Sequence, residues 1–246
     1  MKREAAKQKL KRLLPRFVIR WYERQLAKET HINRALRLFG KDAVYVEIGV
    51  RDGSCTRQLM ACRKYAIDPV PVAPEDIERD GVRVFQMTSD RFFDEAAEIV
   101  LGERSVHVAL VDGLHEFRQA LRDVLNLERL MRLDGFIFVH DCNPPAQRNA
   151  ENPEGPWNGD VWKVAYYITH YRKDLAWFTL DCDWGLGVLS GFSRFPGSSP
   201  DPAAIEAVAS LDYAVLDNDR DAILHLRSPL SSLPYFVQRR LAGHAS

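Results

Sequence analysis

The sequence predicts an α/β protein whose main part is a single doubly wound domain with a mostly parallel sheet. Two observations lead to this fold class. Short apolar segments, rich in β-branched residues, alternate along the chain with segments whose apolar residues recur at helical spacing. Several of the apolar segments also end in a glycine or a carboxylate, and in parallel sheets such strand ends lie beside a ligand.

The composition is that of an ordinary globular protein. The chain has 246 residues, of which 46% are hydrophobic and 28% charged, enough for one large α/β domain. Lys plus Arg and Asp plus Glu number 34 each, so the net charge gives no reason to expect a nucleic-acid partner. The four cysteines form no CxxC pair, which argues against a zinc knuckle. Without an apolar run of membrane-spanning length or a signal peptide, the protein is expected to be cytoplasmic.

Five apolar segments are predicted to form the parallel strands. The clearest is Ala43–Val50, which is apolar almost throughout and contains Gly49 near its end. The remaining four predicted strands are Lys64–Asp68, Val82–Gln86, Val106–Asp112 and Phe136–Val139.

Helices are predicted between these strands and after them, so that right-handed crossovers join the parallel strands. The most regular is Glu116–Leu133, where apolar residues recur at helical spacing until Gly135 ends the segment. The other predicted helices of the domain are Ser54–Cys62, Phe92–Leu101 and Val161–Tyr171.

The last part of the domain is predicted to close the sheet. Pro144–Gly159 is rich in Pro, Asn and Gly, and it is long enough to be a functional loop. Ala176–Leu180 and Gly185–Leu189 have the pattern of two strands joined by a short turn. We expect these two strands to form an antiparallel pair.

These segments divide the chain into three predicted parts. They are a basic helical extension over residues 1–40, the doubly wound domain over 41–195, and a C-terminal tail over 196–246 with a short helix. Between Met1 and Trp21 the extension has eight basic residues against Glu4, interleaved with apolar residues at helical spacing. Such a helix could contact an anionic membrane surface peripherally, or it could pack its apolar stripe on the domain. A homo-oligomer is a further possibility.

The turn after the first predicted strand is the first candidate ligand site. Gly49 and Gly53 permit a tight backbone turn and close approach of a ligand, and Ser54 can cap the helix that follows. The dinucleotide fingerprint G-x-G-x-x-G would need glycine in place of Arg51, so this turn departs from it. A zwitterionic amino acid, unlike a pyrophosphate, tolerates Glu47 nearby. An ordinary turn between a strand and a helix is the competing interpretation.

Asp68 closes the second predicted strand, 21 residues after Glu47. An acidic side chain at this place suits the paired hydroxyls of a ribose. A turn or helix-capping aspartate is the alternative.

Asp112 and Asp141 end the fourth and fifth predicted strands, where an unpaired buried carboxylate would be unfavourable without a cation or hydrogen-bond donors. These two residues could therefore share a divalent metal, and oxygen ligands favour magnesium, manganese or calcium. His115 follows Asp112 by three residues and could accept a proton at neutral pH. A purely structural histidine is the alternative for His115.

From about Ala43 to Gly191 the chain resembles the class I S-adenosylmethionine-dependent methyltransferases, which have a Rossmann-like fold. Within them it is similar to the branch that includes the macrolide-sugar O-methyltransferases. The segments that carry the resemblance are the glycine turn, Val111-Asp112-Gly113-Leu114-His115, Asp123, Gly135, His140-Asp141 and Gly159-Asp160-Val161-Trp162-Lys163.

The resemblance implies a role for each candidate residue. The cofactor, S-adenosylmethionine, would be bound by Glu47, Gly49, Gly53, Ser54, Asp68, Ser89, Asp90 and Asp112. In this arrangement Asp68 contacts the ribose, and Ser89 and Asp90 lie beside the adenine. Asp112 and Asp141 would hold Mg²⁺, while His115 would be the catalytic base with Asp112 beside it. The chain departs from these relatives after the fifth strand, where His140 stands in place of one residue of an acidic pair.

The expected activity is methylation of a hydroxyl on a sugar, a glycan or another small natural product. Trp157, Trp162, Tyr166, Tyr167 and Trp184 could contribute apolar contacts to such an acceptor, or they could be core residues. A nicotinamide-dependent oxidoreductase would share the predicted fold. A non-catalytic binding protein that uses the basic N-terminal helix is the other alternative.

Overall fold

The computed structural model describes residues 25–194 and 200–243. The predicted basic helix between Met1 and Trp21 lies outside these ranges. The described end of the extension forms helix α1, Lys28–Arg37. Gly40 follows it with a φ of 74°, a left-handed backbone conformation that is typical of glycine just beyond a helix.

Eight strands of the described chain form one sheet. They are β1 (Val44–Ile48), β2 (Arg63–Ile67), β3 (Val82–Phe85), β4 (Val106–Val111), β5 (Met131–Val139), β6 (Ala176–Leu180), β7 (Leu186–Ser190) and β8 (Leu226–Arg227). Their order is β3-β2-β1-β4-β5-β7-β6-β8. Strands β1 to β5 pair in parallel, whereas β7 is antiparallel to both β5 and β6. The predicted Rossmann-like fold, with a mostly parallel sheet and a closing antiparallel pair, is confirmed.

The strand order reverses at β1, which lies between β2 and β4. Ile48, the last residue of β1, pairs with Ile67 of β2 and with Val111 of β4. The residues directly after these three strands therefore meet at one edge of the sheet. Doubly wound sheets bind their ligands in the crevice at such a reversal.

Helices cover both faces of the sheet because the side chains of each strand alternate between two cores. On one face Val44 and Val46 join the core beneath the long amphipathic helix, whereas on the other face Tyr45 packs with Ile32 and Phe236. The helices after α1 are α2 (Ser54–Arg57), α3 (Pro74–Arg79), α4 (Ser89–Glu95), α5 (Ala97–Leu101), α6 (Phe117–Leu130), α7 (Gln147–Glu151), α8 (Trp162–Tyr171), α9 (Pro202–Ala209), α10 (Tyr213–Leu224) and α11 (Ser232–Gly243).

Three predicted elements differ from those observed. The predicted helix Ser54–Cys62 is the single turn α2, and the predicted helix Phe92–Leu101 is divided into α4 and α5 at Ala96, whose φ is −128°. Gly135 does not end a helix, because α6 stops at Leu130 and β5 already begins at Met131. Gly135 is needed within β5 because a Cβ there would lie 2.9 Å from the carbonyl oxygen of His107 in the neighbouring strand.

The C-terminal residues contain more regular structure than the single short helix predicted. Helices α9 and α10 pack on α8, strand β8 extends the sheet beside β6, and α11 packs on α1 and β5. Phe236 of α11 is fully buried, and its ring lies 4.9 Å from that of Phe136 and 5.8 Å from that of Phe138. The division of the chain at residues 41 and 195 stays a prediction.

Within the described ranges, no helix combines the length and the apolar character that crossing a membrane requires.

The packing of α11 predicts a large loss of stability on truncation of its buried aromatic side chain. Phe236→Ala should lower the free energy of unfolding by about 3–5 kcal/mol, since it removes a fully buried ring between two strand residues. Leu241→Ala, on the same helix but 69% exposed, should change it by less than about 0.5 kcal/mol. Urea denaturation of both variants measures the difference, and equal losses would contradict this packing of α11.

His31 predicts a dependence of stability on pH. Burial lowers the pKa of this fully buried ring to about 4, whereas the unfolded chain binds the proton near the ordinary pKa of 6.5. The unfolded state therefore binds more protons between these values, and up to about 3 kcal/mol of stability should be lost as the pH falls through this window. His31→Gln should remove this loss in urea denaturation across the window. The exposed control His170→Gln should retain it, and an unchanged slope in His31→Gln would contradict the assignment.

Candidate active site

A cavity of about 830 Å³ opens at the carboxyl ends of β1, β2, β4 and β5. This volume is typical of a site for a small molecule or cofactor. Its lining contains nearly all of the predicted site residues: Glu47, Gly49, Ser54, Asp68, Ser89, Asp90, Asp112, His115 and Asp141. The topology thus brings together residues that are separated by up to about a hundred positions in the sequence.

Gly49 brings the turn after β1 into direct contact with the strand end next to it. Its φ is 88°, and a Cβ at this position would overlap the backbone carbonyl of Asp112. Its amide donates a hydrogen bond of 2.8 Å to the carbonyl oxygen of Ile67. A residue with a side chain would therefore push β4 away from β1, which explains why glycine is required here.

Gly53 has the predicted tight-turn backbone, with a φ of 74°, whereas Ser54 does not have the predicted capping role. A Cβ on Gly53 would lie 2.9 Å from the Ile77 side chain, and Gly53 is not part of the cavity lining. Ser54 does line the cavity, but it is the first residue of α2 and does not cap it. The Asp52 carboxylate instead accepts a hydrogen bond of 3.0 Å from the Ser54 amide. The four-residue α2 is also too short to provide a strong helix dipole.

Asp68 lies at the rim of the cavity beside the glycine turn. One of its carboxylate oxygens accepts a hydrogen bond of 2.8 Å from the amide of Arg51, and the other accepts one of 2.8 Å from the amide of Val70. These bonds fix the orientation of the carboxylate. Since a carboxylate has about four acceptor positions, it can still bind two further donors.

The polar wall formed by Ser89 and Asp90 is held together by a glutamine that the sequence analysis did not identify. The side-chain amide of Gln119 donates to Ser89 at 3.1 Å, to Asp90 at 3.0 Å and to Asp123 at 3.1 Å. Burial raises the pKa of Asp123 to about 6, against the effect of hydrogen bonds from Ser89 and Gln119. The wall thus offers both donors and acceptors to a ligand.

Glu47 is a nearly inaccessible carboxylate at the base of the cavity, 1% exposed. Burial raises its pKa to about 7, although hydrogen bonds from Thr56 and from Tyr45, the latter of 2.9 Å, favour the charged form. A positively charged ligand group in the cavity would stabilise the carboxylate further.

Asp112 is paired with two cationic side chains. Nζ of Lys28 lies 2.7 Å from one carboxylate oxygen, and Nδ1 of His140 lies 3.0 Å from the other. Burial alone would raise the pKa of Asp112, but His140 and Lys28 lower it well below its usual value. Burial would conversely lower the pKa of His140, yet Asp112, Asp141 and Asp183 hold it well above the usual value. The pair is therefore ionised at neutral pH.

Asp141 connects the ion cluster formed by Lys28, Asp112 and His140 to His115. Its carboxylate lies 2.9 Å from Nδ1 of His140 and 3.2 Å from Nε2 of His115, and it accepts a hydrogen bond of 2.8 Å from the buried amide of Asn158. The other ring nitrogen of His115 lies 2.8 Å from the carbonyl oxygen of Trp157. Because a carbonyl only accepts, Nδ1 of His115 carries a hydrogen, and Nε2 is the atom that can take a proton.

The residues at the predicted metal site do not fit a magnesium ion. Ligand atoms of Asp112, His115 and Asp141 lie within 4.8 Å of one another, so distance alone would allow an ion among them. Magnesium prefers six oxygen ligands, however, and this set includes an imidazole. Nζ of Lys28 and Nδ1 of His140 already lie within 3.0 Å of the two oxygens of Asp112, so neither oxygen is open to an ion.

The aromatic residues near the cavity divide into two groups. Trp157 and Trp184 line it, and the Trp157 ring lies 5.4 Å from that of His115. Trp162 and Tyr167 are instead buried in the core, and Tyr166 stacks on His170 at 3.9 Å. Trp184 is 44% exposed, so its face is available to a ligand at the mouth of the cavity.

Sequence reasoning missed Lys28, Gln119 and Asn158. Lys28 belongs to α1, which the sequence shows only as part of a basic extension. Asn158 lies in the predicted loop beside Gly159, where a Cβ would overlap the carbonyl of His115. The adjacent segment Gly159-Asp160 could have indicated that this loop lies at the site, since Asp160 accepts a hydrogen bond of 2.6 Å from the first amide of α6.

A match to a family model supports a methyltransferase domain. Residues 46–142 match the family model described as a methyltransferase domain, a range that runs from β1 to just beyond β5 and includes Glu47, Asp68, Asp112 and Asp141. No curated protein matched the sequence. A solved structure from Corynebacterium glutamicum is similar over 68% of this chain and 81% of its own, with 13% identity and a TM-score of 0.48. A candidate type 11 methyltransferase from Sulfolobus solfataricus is similar over 67% of this chain and 90% of its own, with 17% identity and a TM-score of 0.42.

Proposed function

We propose that the protein is a class I S-adenosylmethionine-dependent methyltransferase that methylates a hydroxyl oxygen of a sugar, a glycan or another small natural product. The observation that carries the proposal is the acidic cavity at the reversal of strand order, with Glu47 beneath the glycine turn and Asp68 at its rim. The family match over residues 46–142 supports the same reaction class.

The charge of the cavity fits this cofactor. Seven carboxylates line the cavity, whereas the basic residues of the described lining are Lys28, Arg51 and two histidines. The carboxylates are those of Glu47, Asp52, Asp68, Asp90, Asp112, Asp123 and Asp141. S-adenosylmethionine carries a sulfonium and an ammonium, which an acidic lining favours. The pyrophosphate of a nicotinamide cofactor carries two negative charges and would be repelled.

The individual contacts follow from the positions of the side chains. Asp68, already oriented by two backbone amides, has acceptor positions left for the ribose hydroxyls. Ser89 and Asp90, held by Gln119, provide polar groups for the adenine. Glu47 at the base of the cavity stabilises the positive charge of the amino-acid half.

The chemistry requires a base near the acceptor hydroxyl. When bound, S-adenosylmethionine supplies a methyl group activated by the positive sulfur. Transfer of that methyl group to the acceptor oxygen would leave the electron pair of the broken C–S bond on the sulfur, and it would require a group that takes the hydroxyl proton. Nε2 of His115 takes the hydroxyl proton. Asp141, 3.2 Å from that atom, stabilises the imidazolium that results, while the Trp157 carbonyl keeps the ring in position.

The acceptor is proposed to lie against Trp157 and Trp184, next to His115. Indole faces suit the apolar faces of sugar rings and the rings of other natural products. Leu114, which is 53% exposed and also lines the cavity, extends this apolar surface.

Cofactor binding is the first test of the proposal. In isothermal titration calorimetry, S-adenosylhomocysteine should bind with 1:1 stoichiometry and NAD⁺ should not. Asp68→Asn should weaken the affinity about tenfold or more, since it removes a charged acceptor for the ribose. Asp94→Asn, at an exposed position outside the cavity, is the matched control and should bind like the wild type. Affinity for NAD⁺ alone would replace the proposal with the oxidoreductase alternative.

The assignment of His115 is tested by turnover. With tritiated S-adenosylmethionine and a set of methyl glycosides and aromatic diols as acceptors, His115→Ala should reduce methyl transfer about 10²–10⁴-fold. Its affinity for S-adenosylhomocysteine should stay within about threefold of the wild type, a difference of less than 1 kcal/mol. The exposed His170→Ala on α8 is the control. An unchanged rate in His115→Ala would remove the base from the mechanism.

A further inference from the structure

We propose that Lys28 is the permanent cation of this site and that it takes the place of a divalent metal at Asp112. The ammonium of Lys28 lies 2.7 Å from Asp112, and it also lines the cavity. The exclusion of a metal rests on the ion cluster itself, whereas the catalytic consequence of Lys28 rests on the proposed methyl transfer.

The space between the two predicted metal ligands is already occupied. Nδ1 of His140 lies 3.0 Å from an oxygen of Asp112 and 2.9 Å from an oxygen of Asp141. A magnesium ion that bridges two carboxylates must approach each oxygen to about 2.1 Å, within the region that this ring edge occupies. Lys28 contacts the second oxygen of Asp112, so each oxygen of that carboxylate already lies within 3.0 Å of a side-chain nitrogen.

Lys28 is held in this position by the elements on which α1 packs. Its backbone amide donates a hydrogen bond of 3.1 Å to Asp183 in the turn between β6 and β7. One helical turn further along, His31 lies 2.9 Å from the hydroxyl of Ser232, and Arg34 donates to the same hydroxyl at 2.9 Å. The side chain of Lys28 is only 16% exposed. A lysine with so many constraints is a fixed part of the site and not a mobile surface charge.

A fixed ammonium can supply the electrostatic function for which a metal would otherwise be needed. It has three donor hydrogens, one of which is directed at Asp112. The others can hydrogen-bond an acceptor oxygen in the cavity and stabilise the negative charge that develops on it as His115 removes the proton. The site thus gains a cation whose presence does not depend on the metal concentration of the surroundings.

The decisive experiment is metal binding by the full chain, followed by the electron paramagnetic resonance signal of Mn²⁺ and by calorimetry with Mg²⁺. The wild type should bind neither ion at millimolar concentration. Lys28→Met keeps the length of the side chain but removes its charge, and it frees the oxygen of Asp112 that does not face His140. This variant should therefore bind one Mn²⁺ at that oxygen at least tenfold more tightly than the wild type. The double variant Lys28→Met with Asp112→Asn should lose this ion again. Stoichiometric binding of Mn²⁺ by the wild type, abolished by Asp112→Asn, would overturn the proposal.

Two controls keep this outcome interpretable. Arg37→Ala removes an exposed charge from the same helix and should leave the metal response of the wild type unchanged. Lys28→Arg keeps a positive charge beside Asp112 and should also exclude Mn²⁺. If Lys28→Met did not fold, as judged by its thermal transition, the wild type and Lys28→Arg would still decide the question, because binding of Mn²⁺ by either contradicts the exclusion.

The catalytic consequence has its own readout. Methyl transfer by the wild type should be unchanged by EDTA, whereas Lys28→Met should lose at least tenfold in turnover while its affinity for S-adenosylhomocysteine remains. Inhibition of the wild type by EDTA, reversed by added Mg²⁺, would overturn the role of Lys28. If no S-adenosylhomocysteine bound, the proposed function would fail, but the Mn²⁺ measurement would still test the cation at Asp112.

Discussion

The ion pair between Asp112 and its two cationic neighbours is the interaction on which the site depends. Asp112 directly follows β4, where a largely buried carboxylate without partners would destabilise the fold by several kcal/mol. Its partners come from two different elements: His140 from the end of β5 and Lys28 from α1. The sheet brings Asp112 and His140 together. Lys28 reaches them because α1 packs on β4, on the face of the sheet that is opposite to α6. The ion pair between Lys28 and Asp112 therefore links the N-terminal extension to the central sheet.

The parallel strands and their terminal residues could be predicted because their signals are local. A strand buried on both faces must be apolar at nearly every position, and β1 and β4 have this composition. Acidic residues stand just beyond three of the parallel strands: Asp68 after β2, Asp112 after β4 and Asp141 shortly after β5. They were therefore recognisable as site candidates without a structure. The glycine turn was recognisable for the same reason, although only the structure shows that Gly49 serves the contact with Asp112 and that Gly53 faces Ile77.

The remaining features depend on contacts between residues far apart in the sequence, which no local pattern records. Lys28 is one basic residue among many in the extension, and the residue with which it forms an ion pair, Asp112, is 84 positions away in the sequence. Helix α10 carries four acidic or amide side chains over Asp217–Asp219 and Asp221, and its backbone departs from helical geometry at Asp219, so its apolar periodicity is weak. The sequence predicts a helix end at Gly135 because glycine often has this role, whereas in the structure Gly135 permits close approach of two strands.

The bond between His31 and Ser232 joins residues 201 positions apart, close to opposite limits of the described chain. Because α11 emerges from the ribosome long after β1 to β5, the sheet can assemble first while α1 still lacks the surface that fixes it. Helix α1 already contacts β4, but the hydrogen bonds that hold it, and with it Lys28, are complete only when α11 docks. The contacts that hold Lys28 beside Asp112 are thus complete only after nearly all of the described chain has been synthesised.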